Sequence, residues 1–300
     1  MRLHRILSVV VAVGCALVIT LKANSAESME VSFSNGDVWL SGTIHLPTEA
    51  VKAGIVLIHG SSKKDSFRMT ALAQLLADHG FAVLTYDKRG IGKSGGAFQD
   101  RDDERAFTLL AEDAGAAFRT LVKHPRVRNV PAGLLGISQG GWVAPITANQ
   151  LPSASFMVLW SGPVCTVSEE MHFSALAKQI PDFSMQKDRR RVQEHMKSAP
   201  VRENDFDPHT ELSRLSLRVL WIFGGRDNSI PVELSIARLR EMIDQGNRNF
   251  EFRLFPEQGH GLDYPTPYPN GYEWMVTWID KAARSAQQTP SRDRTKSATR

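Results

Sequence analysis

Three hundred residues, 42% apolar and 23% charged, have the proportions of an ordinary globular protein and are enough to bury a sizeable core. The formal net charge of +4 belongs to the ends. Without the three cations of residues 1–26 and the net five of residues 281–300, the body carries about −4, which argues against a nucleic-acid-binding body.

The first residues read as an address. Arg2 and Arg5 precede an apolar stretch from Ile6 to Leu21, followed by the small-residue region Ala23-Asn24-Ser25-Ala26, which is the plan of a secretory signal. Residues 1–26 are therefore expected to be a signal peptide cleaved after Ser25 or Ala26, giving an exported, periplasmic or secreted protein with no other membrane contact. The alternative, an uncleaved anchor, wants roughly 20 apolar residues. Once the signal and its Cys15 are removed, Cys165 is the only cysteine left and no intramolecular disulfide is possible.

Glu30–Phe33 and Val38–Leu46 are β-rich runs joined through Asn35-Gly36, a hairpin signal. In the second, Val38, Leu40, Gly42, Ile44 and Leu46 share one face. Gly54–Ile58 is apolar throughout, as a central strand covered on both faces requires, and ends in His59-Gly60-Ser61-Ser62. Strand and helix then alternate: a helix over Phe67–His79, a strand over Phe81–Tyr86, a helix over Ala106–Val122, a strand over Ala132–Ile137, a helix over Trp142–Gln150 and a strand over Phe156–Trp160. After an interruption come a strand at Leu217–Phe223, a helix at Val232–Ile243, a strand at Phe250–Phe255 and a last helix around Tyr272–Ala283. This predicts an α/β fold, a mostly parallel sheet with an antiparallel N-terminal hairpin and helices on both faces. The interruption, residues 163–216, reads as a small helical cap inserted between the two parts of the core, 27–162 and 217–283. Residues 284–300 have too little apolar surface to fold and read as a disordered basic tail.

Gly136-Ile137-Ser138-Gln139-Gly140 lies between a strand and a helix, where Gly-x-Ser-x-Gly forms a tight elbow that lifts the hydroxyl clear of the sheet. Serine is a weak nucleophile, so acyl transfer needs a histidine to take its proton and a carboxylate to orient that histidine. Asp227, after Gly224-Gly225-Arg226, and His260, in Gly259-His260-Gly261, each follow a strand and complete a Ser138, Asp227, His260 triad. Glu233 and Asp263 are the competing carboxylates, one inside a helix and the other too close behind His260. The backbone amides of Gln139 and Ser61, with Ser62 as the alternative to Ser61, are the expected oxyanion donors. His59 reads as a structural brace, and Asp87 and Arg89 as a pair near the floor of the site. Gly92-Lys93-Ser94 is not a phosphate loop, because Asp87 stands where that loop needs glycine. No metal cluster or cofactor fingerprint is visible, so no cofactor and no metal are expected.

Together these motifs, with Tyr86-Asp87-Lys88-Arg89-Gly90-Ile91-Gly92-Lys93-Ser94, resemble the α/β-hydrolase superfamily over about residues 30–283. Within it the chain is similar to bacterial serine aminopeptidase-like, dienelactone hydrolase-like and acyl-thioester hydrolase-like proteins. The resemblance implies the α/β-hydrolase fold, with Ser138 as nucleophile, Asp227 as acid and His260 as base. It departs from related chains at Ser62, where a second glycine is common. The expected activity is hydrolysis of a small-molecule carboxylic ester. Alternatives are an aminopeptidase, whose ammonium site would use Glu169 and Glu170, a thioester hydrolase, and a non-catalytic binding protein. Phe173, Leu176, Ile180, Phe183 and Phe206 are expected either to line an acyl pocket or to pack as core.

Overall fold

The computed structural model describes residues 27–61, 63, 69–99, 103–200, 202, 205–260 and 271–288. The signal segment, Ser62, Gly261, Asp263 and the tail from residue 289 lie outside them. The hairpin pairs β1 (Glu27–Asn35) with β2 (Val38–Leu46), and its two-residue turn places Gly36 at φ +56°, where glycine is unstrained. Six further strands are β3 (Ala53–Ile58), β4 (Phe81–Tyr86), β5 (Ala132–Ile137), β6 (Ala154–Trp160), β7 (Arg218–Gly224) and β8 (Phe250–Phe255). They complete a sheet of order β1-β2-β4-β3-β5-β6-β7-β8, with β2 antiparallel to β4 and every pair from β4 to β8 parallel.

Helices cover both faces. On one, α2 (Glu104–Lys123), α3 (Gly140–Asn149) and α7 (Val232–Asp244) pack Phe107, Phe118, Val143 and Leu239 against Val56, Leu84, Leu134, Leu159 and Trp221. On the other, α1 (Thr70–Asp78) and α8 (Gly271–Gln288) bury Leu76, Met275 and Ile279 against Ile55, Val83, Val158 and Ile222. Every residue of β3 and β4 is buried, because alternate residues serve opposite layers; β3 is accordingly apolar throughout, and β4 is apolar but for Thr85 and the Tyr86 hydroxyl.

Between β6 and β7 lie three helices, α4 (Val167–Ala177), α5 (Met185–Met196) and α6 (His209–Ser213). Phe173 and Ala177 of α4, Val192 of α5, and Ile180 and Phe183 of the link between them form an apolar cluster of their own. Phe206 instead joins the main core, edge-on to Phe107 at 4.8 Å between ring centres. The last helix runs five residues beyond Ala283, to Gln288, so the tail expected from residue 284 begins as helix. An Arg284–Asp280 ion pair and a Ser285 hydroxyl donating to the Lys281 carbonyl (3.0 Å) sustain its last turns.

Candidate active site

Because the strands are parallel, β3, β5, β6, β7 and β8 all end on one edge, with Ile58 beside Gly136, Ile137 beside Trp160 and Gly224 beside Phe255. The loops that leave this edge meet at Ser138. Its backbone is held at φ +53°, a left-handed conformation that L-residues avoid. The Ser138 amide donates to the Trp160 carbonyl (3.0 Å), and the Ser138 carbonyl accepts from Gly141 (2.6 Å). The flanking glycines are required by contact: a Cβ at Gly136 would lie 2.3 Å from the Gly140 carbonyl oxygen, and one at Gly140 would lie 2.2 Å from that of Ile58. Strand, helix and neighbouring strand therefore converge only if both positions lack a side chain.

The same reasoning explains Gly224 and Gly225. A Cβ on either would come within 2.4 Å of backbone oxygens in the segment after β8, those of Gln258, Gly259 and Pro256. The loop after β7 thus lies directly against the loop that carries His260, and Asp227 is delivered to the imidazole across 33 residues of sequence. Asp227 Oδ1 accepts the Ser229 and Ile230 amides at 2.8 and 3.0 Å, which fixes the carboxylate in a fully buried position. His260 Nδ1 lies 2.9 and 3.0 Å from the two Asp227 oxygens, and its Nε2 lies 2.9 Å from Ser138 Oγ. An ionised carboxylate can only accept, so the neutral imidazole carries its proton on Nδ1 and presents the Nε2 lone pair to the hydroxyl. Burial, the largest influence, disfavours the imidazolium. The Asp227 hydrogen bond and charge, aided by Glu170 and opposed by Lys178, outweigh it and hold the His260 pKa above the ordinary 6.5.

Ser61, an exposed residue, follows Gly60, on which a Cβ would lie 3.2 Å from Ser138 Cβ; Gln139 is buried at the start of α3. His59 is buried, its Nδ1 3.0 Å from the Gly60 carbonyl oxygen. Burial, together with the charge of Lys88, lowers its pKa to about 3, so it stays neutral.

Several contacts differ from the sequence reading. Arg89 forks onto Asp113 of α2, Nε to Oδ2 at 2.7 Å and Nη2 to Oδ1 at 2.5 Å, while Asp87 accepts the Lys93 amide at 2.9 Å. Glu169 closes a capping box with Thr166 at the start of α4 and takes both Nη atoms of Arg238 (2.6 and 2.8 Å). Glu233 pairs with Arg189. Cys165 is buried, and its thiol is pushed well above the usual range by burial. His172 and His195 stack with ring centres 3.9 Å apart, each Nε2 meeting the other's carbonyl oxygen.

A cavity of about 630 Å³ opens between α5 and α7. Phe173, Phe183, Val192, Ile236 and Asp227 are among the residues that line it. Its cations are already engaged, Arg189 by Glu233, Lys197 by Glu194 and Arg240 over the Phe252 ring. No group of metal-ligating side chains occurs among the described residues.

Residues 66–286 match the profile of the prolyl oligopeptidase family, Peptidase S9. The chain belongs to that family. Among its relatives is human mitochondrial acyl-coenzyme A thioesterase 2, 25% identical over 235 residues that span 75% of this chain and 46% of the thioesterase. The chain thus spans about half the length of such curated relatives. Among solved structures, an esterase of Pyrococcus furiosus, Pf2001, superimposes with a TM-score of 0.64 at 18% identity, covering 87% of this chain and 92% of the esterase. An acylaminoacyl peptidase of Pyrococcus horikoshii gives 0.63 at 17% identity, over 91% of this chain and 44% of the peptidase. This member of the prolyl oligopeptidase family accordingly has the α/β-hydrolase fold and belongs to a family of hydrolases.

Proposed function

We propose that this chain is a serine-dependent hydrolase of carboxylic esters, with Ser138 as nucleophile, His260 as general base and Asp227 as the group that orients it. The observation that carries the reading is the unbroken relay from Ser138 Oγ through His260 to Asp227, each step 2.9–3.0 Å. Ser138 Oγ attacks the ester carbonyl as its proton passes to His260 Nε2. The negative oxygen that develops is met by the amides of Gln139 and Ser61, where loss of one donor costs about 3 kcal/mol of transition-state stabilisation. Collapse breaks the bond to the alcohol oxygen, which takes the proton from His260, and leaves the acyl group on Ser138. Water then gives a proton to His260 and attacks the acyl carbon. The acid departs and Ser138 recovers its proton.

A thioester is the second reading, favoured by the relation to acyl-coenzyme A thioesterases. The aminopeptidase reading loses support at Glu169, whose carboxylate is engaged by Arg238 and by the helix cap. A p-nitrophenyl ester series and a matched thioester series, run on the mature protein beside Ser138→Ala, test both. Ester turnover that falls about 10³-fold or more in the variant supports the reading. Equal rates in the two proteins remove Ser138 from the chemistry, and a uniform preference for thioesters moves the substrate class. We further propose that residues 1–26 direct export and are removed. A mature protein that begins at Ala26 or Glu27 by intact mass supports this, and a retained Met1 in the exported protein contradicts it.

A further inference from the structure

Lys88 follows β4 and is 2% exposed, an unusual place for an ammonium group. Its Nζ donates to the Gly60 carbonyl at 2.9 Å and to Gln139 Oε1 at 2.7 Å. These acceptors lie on two different loops, 28 and 51 residues away in sequence, and both loops border Ser138. The Gly60 carbonyl is engaged twice, because His59, neutral and 3.0 Å away, must donate from Nδ1 to reach a carbonyl oxygen.

The consequence follows from peptide geometry. In a planar trans peptide the carbonyl and the following N–H point in opposite directions. Anchoring the Gly60 oxygen toward Lys88 and His59 therefore turns the Ser61 N–H away from them, and a flip of that peptide would break both hydrogen bonds. The second bond of Lys88 holds the side chain of Gln139, the residue whose own amide follows the elbow.

We propose that Lys88 is a positioning residue that locks the Gly60–Ser61 peptide and the elbow residue Gln139 in the one arrangement in which both amides can serve an oxyanion. This rests on the serine-hydrolase reading above. Lys88 acts through its bonds to the Gly60 carbonyl and to Gln139 Oε1. It acts by preventing one peptide from rotating and by tying two loops at a fixed separation.

Lys88→Met keeps the unbranched stem as far as Cε and removes the ammonium with its donors. Steady-state kinetics on the best p-nitrophenyl ester, with the Ki of an alkyl boronic acid that forms a tetrahedral adduct on serine, give the test. The expected result is a fall in kcat of roughly 10²-fold with KM within about twofold, and a boronate Ki raised by a similar factor. A merely structural loss would not move kcat and the boronate Ki together at constant KM. A variant with kcat within about threefold of the parent, or with kcat lowered and boronate affinity unchanged, overturns the proposal. If Lys88→Met does not fold, Gln139→Met carries the same test, because Lys88 there keeps the Gly60 carbonyl and loses only the elbow: lowered kcat at constant KM supports the clamp, and unchanged kcat overturns it. A parent chain that turns over no ester and takes no label from a fluorophosphonate overturns the serine-hydrolase reading, and the clamp falls with it. An active parent beside an unimpaired Lys88→Met overturns the clamp alone.

Discussion

At the scale of single residues, the general-base role proposed for His260 makes opposite demands on activity and stability. Its raised pKa reflects burial, which opposes the charge, overcome by Asp227 and Glu170, which favour it. A general base must be neutral, so kcat/KM should rise with pH along a limb centred above 6.5. Stability runs the other way. A group whose folded pKa is raised contributes fully below its unfolded value and loses that contribution as pH climbs through the folded one. Urea midpoints should therefore fall across the window in which turnover rises. Glu170→Gln removes one of the charges that favour imidazolium and should move the activity limb to lower pH, whereas a limb that stays in place would assign it to a different group. His59 does not complicate the profile, since burial keeps it neutral down to about pH 3.

At the scale of elements, the segment between β6 and β7 is tied down by a few polar contacts. Arg238 of α7 grips Glu169 of α4, and the Met185 amide at the start of α5 donates to the Gly225 carbonyl (2.7 Å), two residues before Asp227. Arg238→Met should raise hydrogen exchange selectively in residues 167–177 and raise KM more than kcat, because α4 holds Glu170 and ends at Lys178, both of which act on His260, while the proposed relay itself is untouched. Exchange raised evenly through the sheet would show instead that the pair supports the whole fold. Much of this scale could be read from periodicity. Phe250–Phe255 is a strand as expected, and Gly136 and Gly140 mark the close approach expected of them. The start of α4 was also legible and was missed: Thr166-Val167-Ser168-Glu169 has the spacing of a capping box, which occupies Glu169 at once. The partners of Lys88 and Arg89 were not legible. The nearest carboxylate to Arg89 in sequence is Asp87, but its fork lands on Asp113, and only the packing of α2 on the sheet decides that. Phe206 similarly has no local sign that it belongs with Phe107 and Trp142 rather than with the cap.

For the whole molecule, the Arg89–Asp113 pair is the clearest long-range fastener. Asp113 is fully buried, and it also accepts the Asn35 side chain at 2.8 Å, so one carboxylate joins α2, the loop after β4 and the edge hairpin. Asp113→Ala leaves a buried guanidinium without its counter-charge and should cost about 3–5 kcal/mol in urea unfolding. A loss below about 1 kcal/mol would mean that water reaches Arg89 and the fastener is weak. Charge is distributed at this scale too. The full chain has a pI near 9.1, yet residues 27–280 carry a net charge of about −4, so a protein trimmed to that span should focus well below neutrality.

The left-handed backbone of Ser138 has one more consequence. Holding a serine at φ +53° costs on the order of 1–3 kcal/mol, and glycine at the same place would relieve it. Ser138→Gly should therefore melt higher than the parent. A turn with no task beyond connecting a strand to a helix is one substitution away from that gain, and drift would find it readily. An elbow that keeps the strained residue is what a lineage under selection for the hydroxyl would carry.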